Sequence, residues 1–178
     1  MAGGPFADAA AHRAYAERAM TSDDPFFYTL IDLATGRPGG VASLMRIAPE
    51  HGVIEVGNIA YAPPFQRSRG ATEAMYLLAA LVFDRLGYRR YEWKCNDLNA
   101  LSKRAAVRLG FRFEGVFRDH MVVKGRNRDT AWYAMTAVEW PARKAAFEPW
   151  LDPSNFDAAG KQKTRLSTLM PAGQGRAE

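Results

Sequence analysis

The 178-residue chain contains a single cysteine, Cys95, so no disulfide can close within it and a zinc site built on several thiolates is excluded. A lone thiol fits a reducing compartment, and the cytoplasm is the expected location. Of only three histidines, none stands in a His-x-x-x-His pair, and no glycine-rich dinucleotide fingerprint follows a strand. A metal-free, non-redox protein is therefore expected. The N-terminal MAGGPFADAA lacks the basic start and apolar run of a secretory signal. The longest apolar stretch, AMYLLAALVF, is roughly ten residues, too short to cross a bilayer. No membrane association is expected, and no internal repeat is visible.

Hydrophobic residues make up 48% of the chain, enough to bury one substantial core, and the length favours one domain. The 24 basic against 19 acidic residues give a formal charge of +5. That balance permits an anionic ligand or a nucleic acid without demanding either.

Periodicity predicts a mixed α/β architecture. AAAHRAYAERAM, preceded by Asp8, reads as a short helix. PFFYTLIDL and VASLMRI read as strands around the turn ATGRPGG. GVIEVGNIAYAP is a third strand, ended by Pro63 and Pro64. Ala71 to Leu86 carries so wide an apolar stripe that a largely buried helix is expected, stopped by Gly87. YRRYEWKC is the next strand, and Leu101 to Leu109 a second helix stopped by Gly110. FRFEGVFRDHMVV and DTAWYAMTAVEW form a closing hairpin across KGRNR. A short amphipathic segment, ARKAAFEPWL, follows. The expected domain is 1–151, with 152–178 an extended or disordered tail because it is Gly-, Lys- and Gln-rich.

One stretch carries an electrostatic puzzle. A helix N-terminus already bears partial positive charge and unpaired N–H groups, yet YAPPFQRSRGA adds Arg67 and Arg69 there. Backbone amides from Gln66 to Thr72 and the helix dipole make an anion nest suited to a pyrophosphate, and the two arginines can then donate to it.

QRSRGA, Gln66 to Ala71, between a Pro-terminated strand and a long helix, resembles the Q-x-x-G-x-G/A loop of the GNAT superfamily of N-acetyltransferases. KCNDLNALSKRAAVRLGF resembles the N-x-x-S and terminal L-G-F pattern of its RimJ/RimL branch, which acetylates protein N-terminal amines. The match covers most of Phe26 to Glu139. The resemblance implies the GNAT fold, acetyl-CoA as co-substrate and a primary amine as acceptor: a protein N-terminal amine, an aminoacyl conjugate or a small amine. It places the cofactor against Asn58, Ile59 and Tyr61, the loop Gln66, Arg67, Ser68, Arg69, Gly70, Ala71 and Thr72, and then Asn99 and Ser102. The first loop glycine of the family falls on Arg69, with Gly70 at the variable position.

Acetyl transfer needs an oxyanion donor, a base and an acid. By resemblance the amide of Ile59 is the candidate oxyanion donor. Ser102 is the candidate proton donor to the thiolate, since the tyrosine many GNAT enzymes use falls on Ala106. The glutamate assigned as base in RimL-type enzymes falls on Met121, so that role does not carry over. Glu55, in phase with Ile59 on the strand before the loop, is the candidate base, directly or through water, and His120 is the runner-up. Arg126, Arg128, Asp129 and Trp132 are candidates to line the acceptor pocket. Cys95 reads as a buried thiol rather than a nucleophile.

GNAT domains open with a strand and helix before the first long hairpin, whereas a single short helix precedes Phe26 here. The edge strand so exposed would invite association, a homodimer included. A competing reading is a noncatalytic nucleotide- or RNA-binding module using the same basic loop. No Arg/aromatic stripe of RNA-reading type supports it, so no nucleic acid partner is expected.

Overall fold

A computed structural model describes residues 4–171. Its centre is a six-stranded sheet in the order β1-β2-β3-β4-β6-β5. The strands are β1 Phe26–Asp32, β2 Arg37–Ala48, β3 Val53–Tyr61, β4 Arg90–Asn96, β5 Arg112–Val123 and β6 Arg126–Thr136. Only β3 and β4 run parallel; the remaining pairs are antiparallel. Helix α1, Ala9–Met20, starts where the Asp8 carboxylate accepts from the amide of Ala11 at 2.7 Å, satisfying one free N–H of its first turn. Among the described residues no strand lies outside β1.

Alternation along the central strands assigns the two faces. Ile54 and Val56, Tyr91, Trp93 and Cys95, and Ala131, Tyr133 and Met135 belong to one core with Met75, Leu78 and Val82. The intervening Glu55, Glu92, Lys94 and Trp132 therefore occupy the opposite face. The helical cover comes from α2, Arg69–Ala80, α3, Ala100–Arg108, and α4, Trp140–Leu151. The long apolar stripe expected to run as one helix to Leu86 does so only by changing pitch. Residues Leu81–Arg85 form a π-turn, closed by the Leu86 amide on the Leu81 carbonyl at 2.9 Å. Beside this widened turn, Asp84 meets α4 and accepts from Trp140 Nε1 at 2.7 Å and Lys144 Nζ at 2.8 Å.

Two local expectations change. The stretch ATGRPGG is a turn only in its first half, because Arg37–Gly40 already pair in β2. Likewise the closing hairpin turns at Lys124 and Gly125, both with positive φ, as a two-residue turn between twisted strands requires. Arg126 and Arg128 therefore belong to β6.

The segment after Leu151, expected to be extended or disordered, is folded as far as it is described. A turn at Pro153–Asn155 leads to a bridge between Phe156 and Gln162 and to α5, Leu166–Leu169. Asn155 organises it by donating to the carbonyls of Trp150 and Thr164 at 3.0 and 3.2 Å, while accepting from the Thr164 amide at 2.8 Å. Leu166 is 1% exposed and Met170 9%. Composition misled because it counts apolar residues without placing them. Few are present, but they reach the domain core, and the polar ones satisfy one another. Residues 172–178 lie outside the described residues.

Truncating Leu166 to alanine should cost about 2–5 kcal/mol, as for a core leucine. Urea unfolding of the full chain measures it, and a change near zero would mean that the segment does not belong to the core.

Candidate active site

Parallel pairing of β3 with β4 runs from Val53↔Arg90 to Val56↔Trp93 and stops. On the other side of β3 the register slips between Val41↔Ala60 and Ser43↔Gly57, so Asn58 and Ile59 together oppose the single residue Ala42. Asn58 takes a left-handed backbone, φ 51°, a conformation asparagine tolerates better than most residues. Its side-chain amide donates to Ser43 Oγ at 3.0 Å, and that hydroxyl donates to the Gly57 carbonyl at 3.2 Å. This bulge bends β3 and leaves a residue outside the ladder. Gly57–Tyr61 and Lys94–Asn96 thus form the walls of a wedge, across which their backbones have no partner strand.

The wedge runs directly into the arginine-rich loop. Tyr61 hydroxyl donates to the Ala71 carbonyl at 3.5 Å, and Gln66 Nε2 donates to the Tyr61 carbonyl at 3.1 Å. Burial pushes the Tyr61 phenol up to about 12, so it stays a neutral donor. The loop is anchored by the buried ring of Phe65. A Cβ on Gly39 would come within 2.6 Å of that ring and one on Gly70 within 2.9 Å. The glycine at the variable position of the loop motif therefore makes room for Phe65. Ser68 caps α2 by accepting from the Ala71 amide at 3.0 Å, and helix geometry leaves the amides of Arg69 and Gly70 without intrahelical acceptors. Thr72 is buried behind them. Arg67, in left-handed conformation at φ 59°, and Arg69 are both exposed, and no acidic residue occupies the first turn.

Two aromatic rings from the C-terminal part border this region. Arg69 lies 5.5 Å from the ring centre of Phe156, and Arg108 lies 5.0 Å from that of Trp150. Arg108 donates to Thr72 Oγ1 at 3.1 Å, and burial draws its pKa below the usual guanidinium value. Among the described residues it makes no ion pair. Sequence reasoning passed over Arg108, because a cation in the last turn of a helix is unremarkable by itself.

At the other wall, Asn99 is the N-cap of α3 and accepts from the Ser102 amide at 3.0 Å. Trp93 Nε1 donates to Ser102 Oγ at 3.0 Å, which leaves the hydroxyl proton of Ser102 available to another acceptor. The Cys95 thiol is buried; desolvation raises its pKa, partly opposed by Ser102.

On the opposite face of the sheet, charges alternate in a chain. Arg46 Nη1 and Lys94 Nζ both approach Glu55 Oε2, at 2.6 and 3.0 Å. Lys94 continues to Glu92 at 2.7 Å, Glu92 to Arg90 at 2.7 Å, and Arg90 to Glu114. Trp132 lies under Lys94 Nζ at 3.8 Å and against Phe117 at 4.5 Å. His120 is exposed, hydrogen-bonded through Nδ1 to Thr130 Oγ1 at 3.0 Å, and 5.9 Å from Trp132. Asp129 is committed to the hairpin, accepting from the Asp119 amide and from Asn127. Arg128 is half-buried with Nε unpartnered, and Arg126 is exposed beside the turn. Glu55, Trp132 and His120 thus share one region, whereas Arg126 stands apart from it. The bulge at Asn58 breaks the phase expected between Glu55 and Ile59: the Ile59 side chain packs against the core, and Glu55 faces the other way.

Among the described residues no group of three or more His, Cys, Asp or Glu could hold a metal ion, and no helix is long and apolar enough to cross a membrane.

Residues 1–112 match a family model described as an acetyltransferase (GNAT) domain. A GCN5-related N-acetyltransferase from Brucella melitensis is 52% identical over 95% of this chain and 76% of that one, with a TM-score of 0.93. A GNAT-family protein from Chromobacterium violaceum is 39% identical over 80% of this chain and 71% of that one, with a TM-score of 0.75. A spermidine N-acetyltransferase variant from Vibrio cholerae, at 17% identity over 74% and 77% of the two chains and a TM-score of 0.62, shares the fold. No curated protein matches the chain.

Because burial raises the Cys95 pKa, its thiolate fraction at pH 8 should fall below that of a free thiol. An aromatic disulfide reagent should label the folded protein at least about tenfold more slowly than the urea-unfolded chain. Equal rates would identify an accessible, reactive cysteine instead.

Proposed function

Because the chain belongs to the GNAT acetyltransferase family, we propose that it moves an acetyl group from acetyl-CoA directly to a primary amine. The acceptor is a protein N-terminal amine, as in the RimJ/RimL branch, an aminoacyl conjugate or a small amine. The observation that carries this reading is the continuity of wedge and anion loop: bulged strand, splayed backbone and arginine-flanked helix N-terminus follow one another from Gly57 to Thr72. The pyrophosphate sits against the amides of Arg69 and Gly70, with Arg67 and Arg69 donating from the rim. The pantetheine arm lies along Asn58–Tyr61, with Asn99 at the far wall. Asn58 contributes through its backbone, since its side chain is turned to Ser43.

The amine nitrogen attacks the thioester carbonyl, and the oxygen that becomes negative is met by the amide of Ile59. Collapse breaks the C–S bond, and the thiolate takes its proton from the Ser102 hydroxyl. The proton lost by the amine goes to Glu55, directly or through water, with His120 as the second candidate. Trp132 and Arg128 border the acceptor. The acetyltransferase domain runs over residues 1–151 with the following segment packed on it, the setting is cytoplasmic, and the free edge of β1 is where a second copy would add.

The test is CoA release from acetyl-CoA with peptide N-termini, aminoacyl nucleotides, amino acids and polyamines as acceptors. At least one amine should be turned over. Arg67→Ala with Arg69→Ala should weaken acetyl-CoA binding by about tenfold or more, most at low salt. Ser102→Ala should lower kcat by about a hundredfold at similar cofactor affinity. Tight RNA binding without turnover of any amine would instead support the noncatalytic module.

A further inference from the structure

A run of alternating charge converges on the carboxylate assigned above as base. Glu55 is 3% exposed. The charged groups facing it are Arg46 from β2 and Lys94 from β4; behind Lys94 stand Glu92 and Arg90 of β4, then Glu114 of β5. The two cations are not equivalent. The Arg46 side chain is 47% exposed and that of Lys94 only 7%, so water screens the first far more than the second.

Lys94 is itself immobilised. Its ammonium is held by Glu55 at 3.0 Å and Glu92 at 2.7 Å, over the Trp132 ring at 3.8 Å. It is also the first residue of β4 beyond the last pair with β3, Val56↔Trp93, so the wall of the wedge and the anchor of the carboxylate are one residue. Both cations sit on Oε2, and Oε1 takes part in neither contact. Oε1 lies instead 3.8 Å from the point where a Cβ would stand on Gly57, the residue at which β3 leaves β4.

We propose that Lys94 is a positioning residue for proton removal from the acceptor amine: it pins Glu55 by Oε2 and presents Oε1, in its anionic form, along β3 towards the wedge. This rests on the reading of Glu55 as the base. A carboxylate accepts a proton only when ionised, and an adjacent cation favours that form. Without the cation, activity that depends on the carboxylate should, as pH falls, be lost at higher pH.

The experiment is the pH dependence of kcat/KM in the full chain, for the acceptor turned over fastest in the amine panel, with acetyl-CoA binding measured by calorimetry. Lys94→Met should move the acidic limb upward by roughly one pH unit or more, with acetyl-CoA binding showing that the variant is folded. Lys94→Arg, which keeps the charge, should leave the limb close to its wild-type pH. Should K94M fail to fold because Glu92 is stranded, the double variant K94M/E92Q is compared with E92Q alone, which differs from it only in the cation. Glu55→Gln separates the two claims. If E55Q retains the wild-type limb, Glu55 is not the base and the proposal falls with that reading. If E55Q flattens the limb while K94M leaves it at the wild-type pH, or K94M/E92Q leaves it at that of E92Q, Glu55 stands as base and the role given to Lys94 is overturned.

Discussion

The separation of β3 from β4 after Val56 and Trp93 is the constraint on which the rest depends. Two parallel strands in the middle of a sheet normally keep pairing, since an unpaired backbone amide away from water is costly. Here pairing is broken from the outside. A left-handed Asn58, tied to the buried Ser43, inserts an additional residue against β2 and turns β3 off its line. The unpaired backbone that results is available to a ligand with amide groups of its own, as a pantetheine arm has.

Charge is then arranged oppositely on the two faces. On the helix side, positive groups collect at the start of α2 without acidic residues in its first turn, and Phe156 and Trp150 flank Arg69 and Arg108 rather than neutralising them. A half-buried guanidinium lacking a carboxylate is unfavourable until an anion supplies the missing partner. On the other face every charge of the central chain has a counter-charge within 3.0 Å, and beside that chain Arg128 is half-buried with its Nε unpartnered. Under the proposed function the phosphate-bearing carrier takes the first side and the acceptor the second, with the wedge between them.

Much of the fold was legible because period and turn chemistry agreed. The order of strands and helices, the capped α1 and the loop after Pro63 and Pro64 all follow local rules. What escaped depends on contacts distant in sequence. Nothing local in LVFDR announces a π-turn, which stands where Asp84 meets Trp140 and Lys144. Gly39 read as part of a turn because its partner, Phe65, is remote along the chain. In the site, Glu55 was singled out by its phase with Ile59, but its two cations come from β2 and β4 and could not be inferred from spacing. Arg108 gave no signal, because its meaning comes from Thr72 and Trp150, on two other helices.

The central claim is that the wedge and the α2 N-terminus together receive the acyl carrier. Backbone amide chemical shifts recorded while acetyl-CoA is titrated into the protein test it most directly. The largest changes should fall on Gly57–Tyr61, Arg67–Thr72 and Lys94–Asn96. Changes centred instead on the groove of about 770 Å³ between β1 and α2, lined by Tyr28, Leu30, Ala74 and Leu78, with the wedge amides unmoved, would contradict it.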